Sequence, residues 1–197
     1  MVKSGDRMSS PLTGEHFVFV QTAADSDGKL LVIDCTMSPG SRRNTPLHFH
    51  PLQEERVYIK QGRGRFLLNG HEWLLGPGET VIIPRGMVHT WSNASNCEDL
   101  IVRREMEPAL HWDELIESLC VGSHAGMISA EGRVQPLFMG TLLHHFKDHL
   151  YMAGRPMWLQ RVANRVFSVI GRILGYRPQY HYFRDEGNAM MESIPAK

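Results

Sequence analysis

The stretch His48-Phe49-His50-Pro51-Leu52-Gln53-Glu54-Glu55 sets two imidazoles two residues apart and a carboxylate just past a proline turn. On an extended strand alternate side chains share a face, so His48 and His50 point the same way. After the turn Glu55 opens the next strand and can face the same cavity, whereas Glu54 falls on the opposite face. A third imidazole, His89, ends the run Pro84-Arg85-Gly86-Met87-Val88-His89. Three imidazole nitrogens and one carboxylate oxygen are borderline ligands that suit one divalent ion of Fe, Mn, Ni, Cu or Zn. On an ion that takes five or six ligands, such a set leaves positions open, as a catalytic metal needs. The competing reading of His48 and His50 is a pair of structural histidines on a strand edge. If Glu55 and His89 face inward, so do their alternate neighbours Val57, Ile59, Met87 and Trp91. Those four predict an apolar substrate pocket, or a barrel core filled by the same side chains.

Short strands must carry these residues. Turn pairs punctuate the first half at Asp27-Gly28, Pro39-Gly40, Asn69-Gly70 and Gly76-Pro77-Gly78. Between them, apolar runs predict strands over 17–21, 30–37, 56–60, 64–68, 72–75, 80–83 and 100–106. Asn69-Gly70 is the sharpest signal, because both residues tolerate the positive φ of a two-residue type I′ hairpin. Many short strands at close spacing point to a sandwich or barrel. Beyond Pro108 the pattern changes to helical spacing, with helices predicted over 112–119, 136–152 and 156–174. In the last, Trp158, Leu159, Val162, Ala163, Val166, Val169, Ile170, Ile173 and Leu174 recur at three and four residues, and Gly175 and Pro178 stop it.

The two histidine motifs resemble those of the cupin superfamily. Its first motif reads His-x-His, three or four residues, Glu, six residues, Gly, and is matched by His48, His50, Glu55 and Gly62. Its second reads Gly, five residues, Pro-x-Gly, two residues, His, three residues, Asn, and is matched by Gly78, Pro84, Gly86, His89 and Asn93. At roughly 5% usage per residue type, five specified positions coincide by chance on the order of once in a million starts. One position departs: Arg42 stands where the family usually has Gly six residues before the first His, and Gly40 is nearest. The turn there is expected to be longer. The resemblance covers roughly residues 15–107 and implies a jelly-roll barrel with an α-helical C-terminal extension. The expected division is a barrel over 1–107 and an extension over 108–197, packed on the barrel or on a dimer partner. The resemblance also implies His48, His50, Glu55 and His89 as metal ligands, with Glu55 a candidate base, and a homodimer. It points to a metal-dependent enzyme of oxygenase, isomerase or decarboxylase type acting on a small organic molecule. A non-catalytic binder or sensor with a structural metal is the alternative, because this fold hosts many chemistries. Asn93 is read as a turn-capping amide and not as a ligand.

Composition narrows the remaining classes. Hydrophobic residues make up 42% and charged residues 21% of 197, which is a globular chain with a core of its own. Lys+Arg and Asp+Glu are both 21, so no basic excess supports a nucleic-acid partner. Cys35, Cys97 and Cys120 are odd in number and widely spaced, which argues against a disulfide framework and for a reducing cytoplasm. No signal sequence or membrane-spanning run is read. The neutral total hides an asymmetry: residues 133–184 hold eight Lys/Arg against Asp148 alone. The helix over 156–174, with Arg161, Arg165 and Arg172, is expected to pack on the barrel or a dimer partner and not on a membrane surface. His145 and His149, at i and i+4, are expected on a solvated helix face.

Overall fold

The computed structural model describes residues 2–10, 14–40, 46–129, 133–185 and 188–191, with side-chain environments as far as 181. The strands are β1 (Arg7–Ser10), β2 (Glu15–Gln21), β3 (Leu31–Met37), β4 (His48–Phe49), β5 (Glu54–Gln61), β6 (Gly64–Leu68), β7 (His71–Leu75), β8 (Thr80–Ile83), β9 (His89–Asn93) and β10 (Leu100–Glu107). After them come α1 (Trp112–His124), α2 (Pro136–His145), β11 (Tyr151–Met152), α3 (Met157–Ile173) and a hairpin of β12 (Tyr182–Asp185) and β13 (Asn188–Met191). Two antiparallel sheets form the barrel, one ordered β1-β2-β3-β10-β5-β8 and the other β11-β4-β9-β6-β7. The fold is mainly β, a jelly-roll barrel with helices C-terminal to it.

Alternation decides what enters the core. Along β5 the buried residues are Glu55, Val57 and Ile59, and along β10 they are Leu100, Val102, Arg104 and Met106. The β6–β7 hairpin turns on Asn69 and Gly70, both at positive φ, and pairs Leu68 with His71. Gly62 is required for a second reason: a Cβ there would overlap the Asp99 carbonyl oxygen. The hydrophobic cluster runs from Phe19, Ile33 and Val102 in the strands into Leu115 and Val121 of α1 and Phe138 and Leu142 of α2.

Two expectations change here. The helix predicted over 136–152 ends at His145, and the chain turns so that β11 can pair with β4, Tyr151 against Phe49 and Met152 against His48. Strand pairing at the edge of the sheet wins over helical continuity. As a result His149 is not on a helix face in water; it is 4% exposed. The longer turn expected near Gly40 and Arg42 lies, past Gly40, outside the described residues.

Candidate metal centre

Pairing of β4 with β9 sets His48 directly opposite His89, and His50 follows two residues on, on the same face. The three rings meet at centroid distances of 4.3 Å (His48–His89), 5.0 Å (His48–His50) and 5.2 Å (His50–His89). One ligand nitrogen from each lies within 4.8 Å of the others, and all three residues are buried. This three-histidine group can hold a metal ion.

The outer hydrogen bonds settle how the rings are presented. Each Nδ1 lies against a backbone carbonyl: His48 against Pro46 at 2.8 Å, His50 against His149 at 2.7 Å, His89 against Met87 at 2.9 Å. A carbonyl only accepts, so each Nδ1 carries a proton and donates it, and each ring turns its Nε2 inward. Such second contacts fix tautomer and orientation at metal-binding imidazoles. Burial, and then the neighbouring His89 and His50, push His48 down to about 3, so its lone pair is free at neutral pH.

Glu55 faces this group from β5, with Oε2 3.2 Å from His89 Nε2 and 3.4 Å from His50 Nε2. It stands outside the mutually close set of three nitrogens. His89 Nε2 is within hydrogen-bond distance of Glu55 Oε2, but His50 Nε2 is buried without a hydrogen-bond partner. A cation among these groups would satisfy that nitrogen and the facing carboxylate together, so the donor set fits a divalent ion.

The other carboxylate oxygen of Glu55 is engaged. Oε1 accepts from Arg104 Nε at 2.8 Å and from Arg104 Nη2 at 2.7 Å. Burial alone would raise the Glu55 carboxyl; the Arg104 guanidinium, helped by the nearby imidazoles, outweighs it and holds the acid well below the usual carboxylate range. Arg104 stands opposite Val57 on β10, the diagonal neighbour of Glu55, and its guanidinium lies 5.2 Å from the centre of the Trp91 ring. The motif reading missed Arg104. Its signal was present, because Leu100, Val102 and Met106 alternate inward and Arg104 holds the fourth inward place.

The C-terminal elements close the site from the other side. The Trp112 ring stands edge-on to His50 at 4.9 Å and stacks on His149 at 6.1 Å. His149 Nε2 accepts the His111 backbone N–H at 3.0 Å, while its carbonyl holds His50. A cavity of about 420 Å³ adjoins the metal group, which reaches it through His48. Its barrel wall includes Phe17, Met37, Trp91 and Arg104. The helical wall includes Leu115 and Leu119 of α1, Met139 and Leu143 of α2, and Ala163 and Phe167 of α3. Of the four residues named for a pocket, Trp91 lines this cavity. Val57 and Ile59 sit in the core at 0% and 3% exposure, and Met87 is half-buried against it. Asn93 is not part of the three-histidine group; its side chain bridges the backbone carbonyls of Met37, at the end of β3, and Glu98.

Residues 34–102 match the family model for the cupin domain. No curated protein matches the chain in sequence. Among solved structures, the chain is similar to KdgF from Halomonas sp., at 19% identity, covering 52% of this chain and 86% of that one with a TM-score of 0.44. It is similar to an RmlC-like cupin from Shewanella frigidimarina at 14% identity, 53% and 85% coverage and a TM-score of 0.45. It is also similar to the Streptomyces nucleoside dehydratase Pac13, at 16% identity, 57% and 83% coverage and a TM-score of 0.43. The activities in those names are those proteins' own.

Proposed function

We propose that the chain is a cupin, on the match of residues 34–102 to that family model, and that it binds one divalent metal ion through His48, His50 and His89, with Glu55 as the facing carboxylate. We further propose that it acts as a metal-dependent enzyme on a small, largely apolar molecule held in the adjoining cavity. The convergence of three backbone-tethered imidazoles on one buried carboxylate carries this reading. An ion there would supply Lewis acidity, or an O₂ site if it is redox-active, at its open positions.

The chain's own groups have distinct parts. The three Nδ1 tethers hold each Nε2 inward, and Arg104 keeps Glu55 anionic and fixed in direction. That suits a permanent anionic ligand more than a proton acceptor, since a carboxylate held so low has little driving force as a base. Trp91 and the α1–α3 side chains exclude water and favour an apolar substrate body. The tie between Glu55 and Arg104 also favours a second reading, a non-catalytic binder in which the metal orients a ligand. Cys35, Cys97 and Cys120 form no disulfide, which fits the cytoplasm, and a homodimer is the assembly proposed from the family.

Elemental analysis of untagged protein beside His48→Ala/His89→Ala tests the metal. One equivalent of Fe, Mn, Ni, Cu or Zn, lost in the double variant, supports the site. Protein that neither carries nor takes up an ion overturns it. Turnover that His48→Ala abolishes supports the enzyme; ligand-induced stabilisation with no product supports the binder.

A further inference from the structure

The outward face of α3 has no counterpart in an ordinary surface helix. Gln160, Asn164, Ser168 and Gly171, spaced by four, four and three residues, form the face turned to the body. Ser168 and Gly171 are the buried residues of the helix. Gln160 is held by the Met152 backbone N–H at 3.0 Å and by the Met152 carbonyl at 2.9 Å. At about 100° per residue, Trp158, Leu159, Val162, Val166, Val169, Ile170 and Ile173 fall within an arc of about 120° on the opposite side. All are exposed, Trp158 at 67%, Val162 at 54%, Val169 at 57% and Ile173 at 79%. The helix therefore packs by its small and polar residues and shows its apolar stripe to solvent, the reverse of the usual arrangement. Of the two packings expected for that stripe, on the barrel or on a dimer partner, the one on the barrel does not occur. A contiguous apolar face of this kind marks an interaction site.

The charge beside the stripe indicates the partner. Arg161, Arg165 and Arg172 lie along one edge of it, all exposed, and α3 holds no acidic residue; Arg161 is tied to the Tyr151 hydroxyl at 2.6 Å and lies 3.7 Å from Asp148. Arg155 before the helix and Arg177 after it are also exposed. Two copies meeting stripe to stripe would form an isologous contact in which the arginines find no acidic residue on the facing α3. An anionic lipid surface instead complements both features at once, with the apolar stripe below the headgroups and the guanidinium groups among them. No helix among the described residues is long and apolar enough to cross a membrane, so the contact is with the surface. We infer that α3 docks the protein on an anionic bilayer, lying in the plane of the interface. The inner edge of the same helix, through Gln160, Ala163, Asn164 and Phe167, lines the cavity, so docking sets that cavity directly behind the lipid surface. This inference does not depend on the metal.

The test is co-sedimentation of the untagged full chain with vesicles of phosphatidylcholine alone and of phosphatidylcholine with phosphatidylserine. Binding is expected to the mixed vesicles at low salt, to fall with added salt, and to be weak to phosphatidylcholine alone. Trp158 emission should shift to the blue on binding, and the shift should vanish in Trp158→Phe. Val162→Asn/Val166→Asn/Ile173→Asn should bind about 100-fold more weakly or worse. Arg165→Gln/Arg172→Gln should bind about 30-fold more weakly. Both sets alter exposed positions, and unchanged thermal melts confirm that they fold. No sedimentation with anionic vesicles at low salt overturns the inference, as does binding that the apolar triple variant leaves intact. A concentration-dependent dimer that the triple variant dissolves, without vesicle binding, would assign the stripe to a second copy instead. Binding gained only on removal of residues after 181 would assign it to the chain's own tail.

Discussion

Arg104→Met removes the cation that faces Glu55 and leaves the rest of the site in place. The pair is buried, at 10% and 0% side-chain exposure, with both guanidinium contacts to Oε1 under 3 Å. Met keeps most of the stem volume, so the loss is chiefly electrostatic. An uncompensated carboxylate in such a site costs about 3–5 kcal/mol, within which the guanidinium–Trp91 contact accounts for about 1 kcal/mol. The variant's Glu55 carboxyl is then governed by burial and moves up, above its value in the unfolded chain. The folded variant therefore holds a proton that the unfolded chain releases, and its stability falls as pH rises through neutrality. Relative to wild type, the deficit should be largest near pH 7 and shrink toward about pH 5. Saturating divalent metal should shrink it as well, because the ion restores a positive neighbour to Glu55 and adds its own binding free energy. Glu55→Met/Arg104→Met, which removes both charges, should be far closer to wild type than either single variant. Urea unfolding at both pH values, with chelator and with metal, reads all four effects. A deficit for Arg104→Met below about 1 kcal/mol near pH 7 in chelator would refute the buried ion pair as the support of Glu55.

Substitutions at two further residues probe the surroundings. His149 is held down to about 4 by burial and then by His111, below its value of about 6.5 in the unfolded chain. Its share of stability is complete above about pH 6.5 and is lost as pH falls toward 4, by about 3 kcal/mol at the lower end. His149→Phe keeps the stack on Trp112 and should flatten the acid limb of a urea-stability profile; a limb as steep as wild type contradicts the assignment. Asn93 donates from Nδ2 to the carbonyls of Glu98 at 2.8 Å and Met37 at 3.1 Å and accepts the Ser95 N–H at 2.8 Å. Asn93→Ala should cost about 2 kcal/mol, and Asn93→Asp more, because an oxygen then faces those carbonyls. A melt in which the Asp variant matches wild type would remove the donor role.

What could be read in advance was local. The period of two along β5 put Glu55, Val57 and Ile59 on one face, and the His-x-His spacing did the same for His48 and His50. Asn69-Gly70 announced its hairpin because few other residues accept positive φ twice in succession. What escaped depends on partners distant in sequence. β11 is two residues long and has no period of its own; only its pairing with β4 makes it a strand. His149 is buried because that pairing brings its loop over His50, which no helical wheel can anticipate. Arg104 is the contrary case, visible as a charge in an inward position but passed over because charge on a strand usually marks the wet face.

For α3 the period identified the helix and its stripe, and packing decided which side the stripe faces. The helix approaches α2 so closely that a Cβ on Gly171 would overlap Thr141, and one on Gly140 would overlap Phe167. At Gly171 that separation leaves no room for Val, Ile or Trp, and Phe167 fits opposite Gly140 only because the glycine lacks a side chain, so the stripe residues have the outer side left. Rotating α3 by half a turn to bury the stripe would drive Val162, Val166 and Ile173 into the α2 backbone and expose Ser168 and Gly171. The close contact at the two glycines thus holds the stripe outward as part of the folded structure. The same contact keeps Phe167 and Ala163 against the cavity, so the wall that encloses a ligand and the surface offered to lipid are two sides of one rigid helix.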